Sequence, residues 1–554
     1  MFDEPEQTFA RAMSEMPPKR QFYIPLGCAG GRQRFGVDPD GSVFCVNDRI
    51  DQPKGKDTPR RTWGGNRLRY RFGLPEGTPA KRWIEEQSLP IIHAQWERNG
   101  IRYTQTAFAT RLDPGSLGPP DMQADDTTVL MVKMVAENTR AQSAPAALTL
   151  SLEADGRPLE LTTRDGLVFA KLSSGAVMRC ALETPPEATV AMEAGKIVCE
   201  GEMPADERAE VFVKIPFITL DQPAELERLR NLNFEDELRR AKDFWLSRAN
   251  ASTQIRTPVN EINNFYRAHV SHLLINCGRE VGADRLMARV GSFGYGVYGN
   301  ESCMMITDLD RRGLHQEAER CLETFLHYQG TSDLPGDYSS QEGVFNGAGG
   351  WESGGYNQHH GWIMWAMAEH YWHSGDAAWL KKNAGKLVKA CDCISQERAR
   401  TKNFEAKSLR GLERGLLPPG SLEDIGDWRC WLSNNCFSWW GLDAVARALA
   451  DIGHSESKRL LEEAESYRAD VAEAFREAMI RSPLVKLRDG SSIPAIPSEV
   501  HRRGRTFGWI TVTLEGSIYL IRTGMIPPRH PMSQMIMQDY EDNLYLSEQY
   551  GYSP

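Results

Sequence analysis

The sequence predicts a multidomain β + α protein, in which an N-terminal antiparallel β-sandwich is followed by a toroid of α-hairpins. Three observations support this: the length of 554 residues, a period-2 hydrophobic pattern in the first part, and helices with alternating short and long connections in the second. A chain this long exceeds the size at which one hydrophobic core stops growing. We therefore expect a sandwich domain over 1–220, a linker helix over 221–254 and a helical domain over 255–554.

The β part is predicted from short stretches in which apolar and polar side chains alternate, as they do in half-buried strands. Strands are expected at 101–108, 127–135, 147–152, 166–172 and 209–216. Turn sequences rich in Asp and Gly punctuate this region at 38–41, 153–156 and 165–166. Because no helical pattern intervenes, an antiparallel sandwich is favoured.

The helical part begins after Asp221 with a charged stretch over 224–250, which we interpret as the linker helix. Beyond it the hydrophobic pattern changes to the helical period, with one apolar face in the clearest cases. Helices are predicted at 258–277, 298–311, 314–329, 361–374, 376–400, 434–452, 455–480, 512–523 and 531–546.

The connections between these helices alternate in length. Those after the second, fourth, sixth and eighth helices are short, whereas the others run about 20–35 residues and are rich in Gly, Trp and acids. Alternate connections of an up-down array lie at the same end, so we expect all the long loops to gather at one rim. Long loops on a compact scaffold tend to carry function.

The composition of the chain limits the kinds of partner that it is expected to bind. A net charge of −10 and a pI near 5.8 argue against nucleic acid and against an anionic membrane surface, and no apolar run approaches the roughly 18 residues of a membrane span. Residues 1–20 carry acids and prolines where a signal peptide would be apolar, so a cytoplasmic location is expected unless a native leader is missing. Eleven cysteines without a repeated spacing do not suggest a disulfide framework, and no cofactor or metal motif is visible. The oligomeric state and calcium binding stay open.

Carboxylates and aromatic residues crowd the predicted long loops. Aromatic rings stack on the flat apolar faces of sugars, and glycosidic cleavage needs one protonated and one ionised carboxyl group. We therefore predict a carbohydrate-active enzyme. Its candidate catalytic residues are Asp427, Glu352 and Glu548, and its candidate substrate-binding residues are Trp351, Asp337, His359, His360, Glu423, Trp428, Tyr298 and Arg505.

Three short motifs resemble those of the six-hairpin glycosidases, the (α/α)6-barrel glycoside hydrolases that include glucoamylases. They are Gly426-Asp427-Trp428, Ser547-Glu548-Gln549-Tyr550 and Trp351-Glu352. The resemblance covers about 20–554 and implies inverting hydrolysis, with Asp427 as general acid and Glu548 as base. Trp351-Glu352 resembles the acid motif but lies one long loop earlier, which leaves Glu352 as a partner for base or substrate binding.

The chain departs from that family pattern in two respects. A full six-hairpin barrel has twelve helices, whereas nine are predicted here, and the Ser-Glu-Gln motif follows the ninth helix instead of the eleventh. Either some helices escape the pattern, or the barrel is incomplete, or the sequence ends within the helical domain.

Alternative interpretations stay open for several residues. An equally good interpretation of Asp427 is an acidic residue that stabilises a turn. Hydrogen bonding explains His359 and His360 better than metal coordination does. Residues 502–505 form either a solvated turn or a binding site for a uronate or phosphate. The glycines around Glu352 favour a functional loop. A phosphorylase, a polysaccharide lyase and a non-catalytic glycan-binding protein are the rivals of a glycoside hydrolase.

Overall fold

The computed structural model describes residues 8–15, 22–46, 67–74, 81–172, 175–353, 355–405, 410–422, 425–503 and 516–545, and for 9, 13, 425–427 and 544–545 it describes only the backbone. The first element among the described residues is a short helix, α1 (Phe9–Glu15). The described residues up to 249, together with 257–275, form one compact unit. Residues 250–256 and those from 276 onward belong to a second unit.

The first unit contains sixteen described strands. They are β1 (Ile24–Gly27), β2 (Arg34–Val37), β3 (Val43–Val46), β4 (Arg67–Arg71), β5 (Lys81–Ile84), β6 (Ile91–Arg98), β7 (Ile101–Arg111), β8 (Thr128–Asn138), β9 (Ala144–Ala154), β10 (Arg157–Pro158), β11 (Leu161–Arg164), β12 (Leu167–Leu172), β13 (Gly175–Glu183), β14 (Thr189–Glu193), β15 (Lys196–Met203) and β16 (Arg208–Pro216). They form two antiparallel sheets. One has the order β1-β2-β3-β4-β9-β15-β14 with β10 on β9, and the other has the order β11-β12-β13-β16-β8-β7-β6-β5.

The alternating pattern explains the sandwich. Along β9, Ala144, Ala146, Leu148, Leu150 and Leu152 are buried while the residues between them are more exposed. These side chains belong to one hydrophobic cluster to which both sheets contribute. Each predicted strand lies within or overlaps an observed one. The period-2 pattern therefore predicted this core correctly, because successive side chains of a strand point to opposite faces.

Two predicted turns have the geometry that their residues favour. Asp155-Gly156 joins β9 to β10 with φ values of 50° and 78°, and Asp165-Gly166 joins β11 to β12 with φ values of 50° and 72°. Positive φ at both central residues is the type I′ arrangement, which matches the twist of the strands and suits Asp-Gly. These two turns therefore connect adjacent strands by the shortest route.

The predicted linker helix is two helices, α2 (Pro223–Asn231) and α3 (Phe234–Ala251). The break lies at Asn233, whose side-chain oxygen accepts the backbone N–H of Asp236 at 3.1 Å and so starts a new helix. Phe234 packs edge-on against Phe108 of β7, with 5.2 Å between ring centroids. Through residue 249, this segment is thus part of the sandwich unit and packs on one of its sheets.

Nine further helices follow, and each overlaps one predicted range within the described residues. They are α4 (Asn260–Asn276), α5 (Gly299–Arg311), α6 (His315–His327), α7 (Gln358–Ser374), α8 (Ala377–Lys402), α9 (Leu432–Asp451), α10 (Ser457–Ile480), α11 (Ile518–Arg522) and α12 (Pro531–Tyr540). Three small hairpins lie between them: β17 (Cys277–Arg279) with β18 (Leu286–Ala288), β19 (Gly420–Leu422) with β20 (Ile425–Arg429), and β21 (Leu484–Lys486) with β22 (Ser492–Pro494). In the described part of the chain, every helix is too short or too polar to cross a membrane.

Burial separates inner from outer helices of the second unit. Helices α7 and α9 are buried on nearly every side, whereas α6, α8 and α10 bury one face. A helix that is apolar all round belongs in the interior, and a one-sided helix covers it. Helices α7 and α9 cross with main chains in contact at Gly361 and Gly441, where neither residue leaves room for a Cβ.

Candidate functional site

Four long connections between the described helices are named here by their described residues. Loop A is 277–298, loop B is 328–353 with 355–357, loop C is 403–405 with 410–422 and 425–431, and loop D is 481–503 with 516–517. The connections between α5 and α6, between α7 and α8, and between α9 and α10 are five residues long or shorter. Loops B, C and D thus alternate with short connections, as the sequence predicts.

The long loops are joined to one another in order. Loop A pairs with loop B through a parallel bridge between Val297 and Glu352, and loop B pairs with loop C through Gly336 and Gly420. Trp431, the last residue of loop C, pairs with Glu499 of loop D. The predicted gathering of the long loops at one end is therefore confirmed for their described residues. We call this end the long-loop rim.

Aromatic rings line the place where loops A and B meet. The ring centroids of Tyr295 and Tyr298 lie 6.1 Å apart, and those of Tyr298 and Tyr356 lie 6.2 Å apart with 29° between the ring planes. His359, in the first turn of α7, stands edge-on to Tyr356 at 5.1 Å. Tyr295 is 53% exposed. The result is a row of rings that begins in solvent and ends in a buried histidine.

Glu352 is held by its own loop beside this row. Its Oε2 accepts hydrogen bonds from the backbone N–H of Ala348 at 2.9 Å and of Gly350 at 2.8 Å. The turn that presents these two N–H groups has φ values of +69° at Gly349 and +92° at Gly350. Such values favour glycine, so the glycines predicted to have a functional role have at least this structural one. Among the described residues, no hydrogen bond is made to Oε1 of Glu352.

His359 is a neutral imidazole with a defined tautomer. Burial lowers its pKa to about 3. Asn346 donates from Nδ2 to the carbonyl of Asp333 at 2.9 Å, so its Oδ1 faces His359 Nδ1 at 3.0 Å as the acceptor. The His359 proton therefore lies on Nδ1. Its Nε2 is a buried lone pair that accepts no hydrogen bond from any described residue.

His360 uses both ring nitrogens to hold main chain. Its Nδ1 accepts the N–H of Phe345 at 3.0 Å, and its Nε2 donates to the carbonyl of Ala390 at 3.1 Å. Burial lowers the pKa of His360 to about 4. These bonds tie loop B to α8 and leave the imidazole no nitrogen for a ligand, so any part it has in substrate binding is indirect.

The hairpin that carries Asp427 is anchored on two sides. Ser421 of β19 donates to the carbonyl of Gly355 in loop B at 2.8 Å, and Asn434 of α9 donates to the carbonyl of Ser421 at 2.9 Å. A Cβ at Gly420 would overlap the amide of Asn357, so strand and loop are in direct contact. Asp427 lies on the partner strand β20, of which only the backbone is described at that position.

The other predicted site residues are placed as follows. Trp351 is buried, and Tyr298 is half-buried in the row of rings. Asp337 is exposed, 3.6 Å from Arg400, and Trp428 is 57% exposed on β20. Glu423, Arg505 and Glu548 lie outside the described residues.

A charged cluster joins loops C and D, and sequence reasoning missed it. It consists of Arg410, Glu413, Arg429, Glu499 and His501, and we call it the C–D junction. Glu413 accepts from His501 Nε2 at 2.8 Å and from Arg410 at 2.6 and 2.9 Å. Glu499 accepts the backbone N–H of His501 at 2.9 Å and lies 3.9 Å from Arg429. The sequence showed only that loops C and D contain acidic and basic residues. It could not show that these residues pair, because Glu413 and His501 are more than 80 residues apart.

The electrostatics of the C–D junction are those of a partly buried ion pair. The hydrogen bond that His501 donates to Glu413 raises the pKa of His501, and burial opposes this. Burial acts to raise the pKa of Glu413, but hydrogen bonds from His501 and Arg410 outweigh it and the pKa is lowered. Both shifts favour the charged pair.

Comparison with known proteins finds similarity in structure but not in sequence. No protein-family model matches the chain, and no curated protein sequence matches it. A solved structure that resembles it is a bacterial glucoamylase complexed with acarbose, with a TM-score of 0.50 and 10% sequence identity. The match covers 95% of this chain and 80% of the glucoamylase chain. At this identity the likeness concerns the fold. The chain therefore has the fold of the six-hairpin glycosidases, an N-terminal antiparallel β-sandwich followed by a helical toroid.

Proposed function

We propose that this chain is a glycoside hydrolase that cleaves glycosidic bonds of an oligo- or polysaccharide at the long-loop rim. The observation that carries the proposal is the meeting of loops A and B, where a row of tyrosines lies and where Glu352 pairs with Val297, the chain neighbour of Tyr298. The fold likeness supports the same class, since the glucoamylase it resembles is bound to acarbose.

The tyrosines suit a sugar chain. Pyranose rings present apolar faces that stack on aromatic rings, and the phenol hydroxyls add hydrogen bonds to sugar hydroxyls. Tyr295 and Tyr298 lie on loop A and Tyr356 on loop B, so a sugar bound along them would contact both loops. His359, edge-on to Tyr356, orders the innermost ring. We infer that this row binds the substrate next to the cleaved bond.

The carboxylates supply the chemistry in this proposal. Asp427 is the general acid that protonates the leaving oxygen, and an ionised carboxylate, Glu548 or Glu352, activates the attacking water. Support for Asp427 comes from the anchoring of its hairpin against loop B and from the exposed indole of Trp428 next to it. Support for Glu352 comes from its geometry, because the loop fixes Oε2 and leaves Oε1 to water or a sugar hydroxyl. Inversion is implied by the family resemblance.

The test is sugar release from a broad panel of oligo- and polysaccharides, with Asp427→Asn and Glu352→Gln beside the parent. Glu342→Gln is the matched control, since Glu342 is an exposed acid of the same loop B whose nearest cation, Lys389, is 3.6 Å away. We expect the parent and the control to release sugar, Asp427→Asn to lose at least about a hundredfold in kcat, and acarbose to inhibit. Equal activity in the parent and Asp427→Asn would remove Asp427 from the mechanism.

The same assay separates the rival functions. Release only in the presence of phosphate would indicate a phosphorylase, and products that absorb in the ultraviolet would indicate a lyase. Saccharide binding that persists in Asp427→Asn and Glu352→Gln, without turnover by the parent, would indicate a glycan-binding protein. Any of these three outcomes would overturn the hydrolase proposal.

A further inference from the structure

The β-sandwich unit contains a cavity between its two sheets. The described residues that line it come mainly from β7, β8 and β16 of one sheet and from β9 and β15 of the other. Its volume is about 120 Å³. An apolar cavity of about 150 Å³ stays dry and binds benzene, so this one has room for about one six-membered ring. We call it the sandwich cavity.

Small side chains explain why this space is not filled. Ala136 and Ala209 are paired on β8 and β16, and Ala146 lies on β9 of the other sheet. Packed sheets lie about 10 Å apart, so the methyl groups of alanines leave a gap between them. Larger apolar side chains, among them Leu148 and Met203, complete the lining and are buried. The interior of the sandwich cavity is therefore apolar.

One buried amide holds the edge of the sandwich cavity in place. Asn138 donates from Nδ2 to the carbonyl of Met203 at 2.9 Å and to that of Pro204 at 3.0 Å. Its backbone N–H donates to the carbonyl of Glu207 at 3.0 Å. These bonds fix the connection from β15 to β16, which contributes to the lining. The cavity is thus formed before a ligand arrives, so binding need not order this segment.

Acidic side chains surround the opening of the sandwich cavity. Four exposed glutamates belong to the lining: Glu187, Glu200, Glu202 and Glu207. Within the described part of the chain, none of the four forms an ion pair. Arg208 is the one cation among the described lining residues, and it lies 3.9 Å from Glu210, a further acid outside the lining. Four carboxylates and one guanidinium give the described lining a net charge of −3, which attracts cations to the opening.

We propose that the sandwich cavity binds a small ammonium ion that carries one apolar ring or a short alkyl chain. The apolar part enters the cavity, and the ammonium group stays among the glutamates at the opening. The volume sets the size of the apolar part, and the glutamates without ion pairs set the sign of the charge. A carboxylate on the ligand would meet like charge at the opening and weaken binding. This site lies in the sandwich unit and is additional to the proposed hydrolysis at the long-loop rim.

The test is an NMR titration of the full chain with methyl-labelled methionine and three ligands that share a benzyl group: benzylammonium, benzyl alcohol and phenylacetate. The methyl resonance of Met203 reports on the lining, and its absence in Met203→Leu identifies it. Met131 on β8, buried and outside the lining, is the internal control. We expect benzylammonium to bind with a Kd on the order of millimolar, benzyl alcohol about three- to tenfold more weakly and phenylacetate more weakly still. The advantage of benzylammonium should shrink between about 10 and 150 mM salt.

The charge is tested with Glu200→Gln/Glu207→Gln, which removes two exposed carboxylates and leaves the apolar lining unchanged. The matched control is Glu193→Gln/Glu227→Gln, which removes two exposed acids of the same unit that lie outside the lining. We expect the first variant to bind benzylammonium about three- to tenfold more weakly and benzyl alcohol as the parent does. The control should bind both ligands as the parent does. An equal loss in the two variants would overturn the role of the glutamates.

The cavity itself is tested with Ala146→Leu, whose larger side chain occupies the space that a ring would take. It should weaken the binding of benzylammonium and of benzyl alcohol at least about tenfold, while the circular dichroism spectrum stays that of the parent. If this variant does not fold, the glutamate variants and the Met203 resonance decide the question. Three results would overturn the inference: no shift of the Met203 resonance, equal affinity for benzylammonium and benzyl alcohol at low salt, or parent-like binding by folded Ala146→Leu.

Discussion

The close crossing of α7 and α9 predicts that Gly361→Ala destabilises the protein. A Cβ at Gly361 would stand 2.2 Å from the carbonyl oxygen of Phe437, 2.4 Å from its carbon and 2.7 Å from the nitrogen of Ser438. All three are main-chain atoms of α9, so no side-chain rotation can relieve the overlap. The two helices must separate by about 1 Å to restore ordinary contact distances.

The expected cost follows from this displacement. Overpacking a close-packed core costs about 1–3 kcal/mol, and contact with main chain belongs at the upper end. Alanine regains about 1 kcal/mol from its better helix propensity. We therefore expect Gly361→Ala to lower the free energy of unfolding by about 2 kcal/mol or more. Gly385→Ala is the matched control, because Gly385 is exposed on α8 with nothing within 4 Å of an added Cβ, and it should stabilise by about 0.5–1 kcal/mol.

Urea unfolding followed by tryptophan fluorescence measures both variants. The indoles of Trp365 on α7 and Trp440 on α9 are stacked with 4.1 Å between centroids, so the signal reports this crossing. With a slope of about 2–3 kcal/mol per molar urea, the midpoint should fall by roughly 1 M in Gly361→Ala and rise slightly in Gly385→Ala. A midpoint for Gly361→Ala equal to that of the parent would refute the close crossing, and with it the packing that sets the rim.

Three further predictions concern charged groups. Burial lowers the pKa of His359 to about 3 and that of His360 to about 4, whereas unfolded histidine titrates near 6.5. Their stabilisation is therefore complete above about pH 6.5 and is lost as the pH falls, so the urea midpoint should decline from pH 7 to 4.5, and a flat profile would contradict this. Because the pKa of His501 is raised in the folded state, its contribution to the free energy of unfolding is complete below about pH 6.5 and is lost as the pH rises through the folded pKa. The pKa of Glu413 is lowered, because its cationic partners outweigh the effect of burial, so its contribution to the free energy of unfolding is present above about pH 4.5. His501→Asn should thus cost most stability between those values, and a deficit that grows towards pH 8 would be evidence against the pair. Asp310 is buried and accepts from two histidines at 2.9 Å, so Asp310→Ala should destabilise by about 3 kcal/mol, and a urea midpoint like that of the parent would show that the cluster contributes little.

Much of the architecture could be predicted because its signals are local. The alternation along 147–152 and the apolar face formed by Leu314, Ala318 and Leu322 depend only on neighbours within a few residues, and all of these helix residues are buried as expected. The break at Asn233 was missed, because a single capping side chain divides a stretch that is helical in pattern on both sides.

The candidate site was predicted only in outline. That acids and aromatic residues would gather at one end follows from the alternation of connection lengths. Which partners they meet does not, since Val297 and Glu352 are far apart in the chain and become neighbours only when loops A and B pair. The roles of Asp427, Glu352 and Glu548 therefore stay predictions for the assays above.

The sequence by itself determined that a β region precedes a helical region, the positions of five strands and of most of the described helices, and the end at which the long loops lie. These features depend on the hydrophobic period of each segment and on the direction of the chain, so each can be predicted from a single segment of the sequence. Only the tertiary structure decided that Oε2 of Glu352 is held by its own loop, that His359 is a neutral imidazole with its proton on Nδ1, and that Glu413 and His501 form a pair across loops C and D. Burial and hydrogen bonding set these properties, and both depend on segments that are distant in sequence and adjacent only after folding.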